Sequence, residues 1–137
     1  MTSPNPLTVE EAIYFYSKLG EYRMPFGGFI VNRVHADALE ETGAREQWLR
    51  LRDHPAEMFR FQWPGGVTGD LETTSLAERV AENFDRFQTL AETDAAEIAR
   101  LKKTCDGPHF WRTVPAFDLD VHDLSALARL NTGLFGC

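Results

Sequence analysis

Cysteine is scarce in this 137-residue chain: Cys105 and Cys137 stand far apart with no Cys-x-x-Cys pair. Spacing therefore gives neither a disulfide framework nor a thiolate metal clip, and each cysteine is expected to be a bystander. Long apolar runs are missing too, since none approaches the roughly 20 residues of a membrane helix. Met1 to Pro6 has no basic end leading into an apolar signal segment, so the expected location is the cytoplasm. Positive charge is short: 14 Lys and Arg face 21 Asp and Glu, a formal net charge of -7. A phosphate-backbone binder needs a basic stripe, so nucleic acid is not an expected partner.

Catalytic signatures are equally sparse. No Gly-x-Ser-x-Gly elbow surrounds any serine, and no His-x-x-x-His or Glu-x-x-His pair occurs. The usual hydrolase and zinc-enzyme signals are thereby removed. His35 and His54 have no partner at metal or catalytic spacing and read as ordinary histidines. Asp118, Asp120, His122 and Asp123 gather acid and imidazole, but a hard cation wants more preorganised oxygens than one turn offers. No sequence repeat or low-complexity tract is visible. What is present is ordinary globular material, 43% hydrophobic and 26% charged, long enough for one domain, or part of one, with a real core.

Ser3-Pro4-Asn5-Pro6 reads as a connector, because its prolines lack amide donors. A first helix is expected from Thr8, with Glu11 completing a capping box, Val9, Ala12, Ile13, Tyr16 and Leu19 on one face, and Gly20 as the stop. Gly27-Gly28 then introduce Phe29-Ile30-Val31, a short strand expected to be covered on both faces and ended by Asn32. Residues 36 to 52 are charged and broken by Gly43, which predicts a solvated helical pair. Phe59, Phe61 and Trp63 alternate with polar residues ahead of a Pro-Gly-Gly turn. They either pin a loop to the core or form a lip that grips a partner.

Ser75 to about Lys103 carries the longest helical pattern. Its expected core stripe is Leu76, Val80, Phe84, Phe87, Ala91, Ala95, Ile98 and Leu101. Phe110 to Val114 reads as a second strand closed by Pro115. A last helix is expected from near Asp120, with Leu124, Leu127, Leu130 and Leu134 on one face. The order helix, strand, helical insert, long helix, strand, helix is α/β, and right-handed crossovers would make the strands parallel. Asn32-Arg33-Val34-His35 and Pro115-Ala116-Phe117-Asp118 would then share one carboxyl edge, where open α/β sheets bind ligands. An Asn there both donates and accepts, which matches the adjacent amino group and ring nitrogen of a purine. An Asn that merely turns the chain is the simpler alternative.

Several pieces carry a resemblance. Glu10-Glu11-Ala12, then Met24-Pro25-Phe26-Gly27-Gly28-Phe29-Ile30-Val31-Asn32-Arg33-Val34-His35, and later Val114-Pro115 with Asp120-Val121-His122-Asp123-Leu124-Ser125-Ala126-Leu127, are similar to the C-terminal part of the ArsA-type anion-transporting ATPases. That family includes arsenite-pump subunits and the targeting factor for tail-anchored membrane proteins. The likeness covers nearly everything except residues 36 to 74, a variable and mostly helical insert. It implies a partial P-loop NTPase-type α/β fold, with two short parallel strands flanked by helices, and a nucleotide pocket for ATP or ADP. In the family the Asn after the strand contacts adenine and the Val-Pro loop wraps the base. By that resemblance Asn32, Arg33, Pro115, Ala116 and Phe117 would form the base pocket.

The chain departs from the family where hydrolysis needs it most. Phosphoryl transfer requires a glycine loop, its lysine, a hydroxyl for Mg²⁺ and a carboxylate to place water; here no Gly-Lys pair exists. Those parts lie upstream in the family, so the chain reads as a segment that begins just after an earlier strand. It would bind Mg-nucleotide only as part of the larger assembly, with no nucleotide expected on the chain alone. The family's paired and metalloid cysteines are also absent, which counts against arsenite handling and a zinc-clipped dimer. The implied partners are a missing N-terminal half or a second copy, and beyond them a protein client or a membrane pump. The alternative is a non-catalytic interaction module using Phe59, Phe61, Trp63 and the long helix. Two strands alone make a poor sheet, so sizing chromatography should show self-association; a well-folded strict monomer would argue against the segment reading.

Overall fold

Asn5 and Pro6 begin the first helix. In the computed structural model, which describes residues 1–54, 70–117 and 124–135, α1 spans Pro6–Glu21. The Asn5 side chain accepts the Leu7 N–H at 3.0 Å, and Pro6 occupies a first-turn position where its missing N–H costs nothing. Thr8, expected to be the cap, instead lies inside the first turn and donates its hydroxyl to the Ser3 and Asn5 carbonyls. Gly20 does not stop the helix either. The chain leaves through Arg23, whose φ of 55° is left-handed, with Arg23 N–H on the Gly20 carbonyl and Met24 N–H on that of Leu19. This is a Schellman ending with Arg where glycine is usual.

β1 (Gly28–Val34) follows, then α2 (Ala44–Asp53), α3 (Asp70–Thr104), β2 (Phe110–Pro115) and α4 (Leu124–Phe135). The element order matches the α/β expectation, and β1 and β2 pair in parallel. Gly28 lies opposite Phe110, Phe29 opposite Trp111, and Val31 opposite Thr113. β1 also has a neighbour on its other edge, where Thr2 donates to the Ile30 carbonyl at 2.9 Å and accepts the Asn32 N–H at 2.8 Å. Thr2 thus forms a third, one-residue parallel rung just ahead of the expected connector, and Ser3-Pro4-Asn5 leads from it into α1. β1 alternates rather than being uniformly buried: Phe29 and Val31 are in the core, while Ile30 is half-buried.

The chain divides into two units, residues 1–36 with 91–137, and residues 37–90. In the first, the core is Val9, Phe29, Val31, Ile98, Leu101 and Cys105, so α1 and the second half of α3 cover one face of β1. Phe29 stacks on Trp111 with ring centroids 4.6 Å apart, and Tyr16 donates or accepts a 2.9 Å hydrogen bond with His109. Cys105 is a packing residue, its thiol pKa pushed up by burial. In the second unit, α2 has no buried residue, yet Trp48 rests on Phe84 and donates to Asp85 at 3.0 Å. Asp37 accepts from the Gln88 side chain and the Leu39 N–H, and these bonds lower its pKa.

The buried line of α3 differs from the expected stripe. It runs through Ala77, Ala81, Gln88, Ala91, Asp94, Ile98 and Leu101, leaving Leu76, Val80 and Phe87 exposed and Ala95 outside. Large side chains dominate a sequence pattern, but Ala77 and Ala81 one position along allow closer packing. Residues 55–69, with Phe59, Phe61 and Trp63, and residues 118–123, with the expected start of the last helix and the acidic cluster, lie outside the described residues. Among the described residues no helix is long and apolar enough to cross a membrane.

Two glycines should respond oppositely to alanine. A Cβ on Gly28, at φ 152°, would collide with the Phe110 carbonyl oxygen, so Gly28→Ala should forfeit about 2 kcal/mol or more. Gly20 has nothing within 4 Å, so Gly20→Ala in α1 should gain about 0.5–1 kcal/mol. Urea unfolding of both variants measures the difference.

Candidate functional site

The pairing of β1 with β2 slips once. Val31 is opposite Thr113 and Val34 is opposite Pro115, so Asn32 and Arg33 occupy the span that β2 crosses with Val114 alone. This is a β-bulge, a device that re-aims side chains at the end of a pairing. Arg33 makes the slip possible with φ at 62°. Its effect shows in the hydrogen bonds. In a regular strand residues 32 and 34 direct their backbone groups to the same edge, but here the Asn32 N–H points to Thr2 while the Val34 carbonyl accepts from Ala116 at 2.9 Å.

A left-handed conformation costs a non-glycine residue about 1–2 kcal/mol, and such strain persists only where the surroundings fix it from several sides. Thr2 holds the backbone before Arg33, and Ala116 holds it after. One residue further on, Asp94 of α3 accepts both the His35 N–H and His35 Nδ1, each at 2.8 Å and each on Oδ2. Asp94 is only 7% exposed. A carboxylate at that depth needs strong donors, and His35 supplies two of them.

Asn32 turns its Oδ1 back to accept the Arg33 N–H at 2.9 Å. That leaves its Nδ2 hydrogens and a second Oδ1 lone pair for another molecule. Asn32 is half-buried and borders a cavity of about 510 Å³ lined also by Met1, Thr2, Thr8, Glu11, Phe15 and Phe29. The size suits a small-molecule site. Its walls combine aromatic rings with hydroxyls, one amide and one carboxylate, which offers stacking surface and both hydrogen-bond senses.

The other four residues expected in the pocket lie at the same end of the sheet. Pro115 closes β2 opposite Val34, and Ala116 is tied to Val34. Phe117 follows directly and is half-buried, while Arg33 is exposed. The fold therefore brings all five to one carboxyl edge, with Asn32 alone among them lining the cavity. Sequence reasoning missed Asp94 because it sits beside Ala95 in a run that patterns as helix. Its only signal was an acid interrupting the apolar positions between Ala91 and Ile98. It also missed Thr2, whose role is carried by backbone atoms. Among the described residues no group of three His, Cys, Asp or Glu side chains could hold a metal. No protein-family model matches the chain, and no curated protein matches it.

The strain at Arg33 has a direct test. Replacing Arg33 with glycine removes the left-handed penalty and should raise unfolding free energy by about 1 kcal/mol, measured by denaturant titration. A loss of stability would mean that the side chain's own contacts outweigh the backbone strain.

Proposed function

We propose that this chain is the adenine-binding C-terminal segment of an ArsA-like anion-transporting or protein-targeting ATPase, with a partial P-loop NTPase-type fold. It reads the base of ATP or ADP and does not hydrolyse nucleotide alone. The observation that carries the reading is the bulge at Asn32-Arg33: a strained strand end paired with the Pro115-Ala116 end of its parallel neighbour, with Asn32 bordering a cavity. A purine edge places an amino donor next to a ring-nitrogen acceptor, and an Asn amide meets both. Arg33 and Phe117 would supply stacking faces, and the backbone of Pro115 and Ala116 would complete the rim. The sequence likeness to the family supports the same assignment. The phosphates and Mg²⁺ would be held by a P-loop-bearing half, which makes that half the first partner, with a protein client or a membrane pump as the next.

A second reading has its own support. Leu76, Val80 and Leu90 recur along one side of α3 at 42%, 44% and 49% exposure, which suits a non-catalytic module that binds a protein with that helix and with the Phe59, Phe61 and Trp63 segment. The two readings separate in one experiment. Adenosine and uridine are titrated into the isotope-labelled chain while the Asn32 side-chain amide is followed by NMR. Purine-selective binding that is only millimolar, too weak to keep nucleotide on the chain alone, is expected, weakened about tenfold or more by Asn32→Ala and tightened when a P-loop half is added. No purine preference, with loss of a protein partner on Val80→Glu or Trp63→Ala, would establish the module instead.

A further inference from the structure

We infer that Asp94 is a positioning residue for the base-reading strand end, an inference that rests on the purine-binding reading above. Asp94 lies on α3, 59 residues from its partner, and is buried. Its Oδ2 takes both the backbone N–H and the ring Nδ1 of His35 at 2.8 Å. A carboxylate facing Nδ1 favours the tautomer with its hydrogen on that nitrogen, so one acid fixes both the path of the chain and the orientation of the ring.

Placement makes this more than a core contact. His35 is the second residue after Arg33, the left-handed residue that gives the bulge its turn. The bulge is restrained before Arg33 by the Asn32 N–H on Thr2 and after it by the Ala116 N–H on Val34. Both of those restraints are backbone bonds that any sequence could make. Within the bulge the Asn32 side chain adds a local bond to the Arg33 N–H, whereas Asp94 is a side chain that reaches the segment from far along the sequence, on the helix that carries Ile98 and Leu101 into the core. The rigid part of the unit is thereby coupled to the segment that aims Asn32. Without the clamp, residues 33–35 can relax toward ordinary extended geometry, which undoes the slip in register and shifts the Asn32 amide from its place at the cavity.

The test compares Asp94→Ala, Asp94→Asn and His35→Ala in the full chain. Amide hydrogen exchange at His35 and Arg33 is read against Leu101, and adenosine affinity is read by NMR. Asp94→Ala should speed exchange at His35 at least tenfold while Leu101 stays protected, and weaken adenosine at least tenfold. Asp94→Asn, which keeps an acceptor oxygen, should recover much of both. His35→Ala keeps the backbone bond and should lie between, so it serves if Asp94→Ala does not fold. Unchanged His35 exchange or unchanged affinity in folded Asp94→Ala, or, where that variant does not fold, wild-type adenosine affinity in His35→Ala, overturns the positioning role alone. A wild-type chain that shows no purine-selective binding overturns the parent reading and this one with it.

Discussion

The parallel contact of β1 with β2 is the constraint on which the candidate site depends, and it is close at Gly28 and Phe110. There the two backbones approach so closely that a single methyl group would collide with the Phe110 carbonyl. The contact fixes register from one end, so that Phe29 meets Trp111 and Val31 meets Thr113. Hydrophobic burial on α1 and α3 then holds β1 against the helices. Everything at the far end follows from this alignment. Because the strands run in the same direction, their carboxyl ends emerge side by side, and the residues after Val31 and after Val114 become neighbours despite more than 80 positions of intervening chain.

Alignment alone would give a regular ladder, and a regular ladder would direct Asn32 and Val34 to the same edge. The slip at Arg33 divides them between two partners, Thr2 and Ala116. Such a slip is unfavourable locally, since it places a side chain in a left-handed backbone and forgoes one rung of pairing. It is held by restraints from three different parts of the sequence. The pattern is that of a site built by tertiary structure against local preference. That is where functional geometry is expected to reside.

This also explains which features could be read from sequence. The order of elements was legible because helical and strand periodicities are carried by many residues at once, and parallel pairing followed from connection rules. Asn32 stood out because it is a polar residue ending an apolar run. Caps were less legible: Asn5 and Thr8 are both good caps, and only the path of the chain through Pro4 and Pro6 decides between them. The buried face of α3 was misjudged in its first half because Ala77 and Ala81 are small, and small residues pack closest while weighing least in a pattern. The slip at Arg33 had no sequence signal, since arginine gives no hint of a left-handed conformation. Asp94 could not be recognised until the fold placed His35 beside it.

The division of labour proposed for this chain has a simple chemical basis. Reading a base takes a few neutral hydrogen-bond groups and an aromatic or guanidinium face, all of which a strand end and its neighbouring loop can offer. Cleaving a phosphate takes concentrated positive charge, a metal and an ordered water, and the proposal leaves that task to a P-loop-bearing half. A net negative charge also repels free phosphate at long range. On this reading the base-reading edge does not compete for phosphate-bearing ligands by electrostatic attraction, and any affinity it shows must come from the shape and hydrogen-bond pattern of the ring. That makes the position of a single amide, Asn32, decisive. It is also why a strained, side-chain-clamped bulge is a reasonable structure to find there: with so few contacts available, a small error in aim would cost most of the binding.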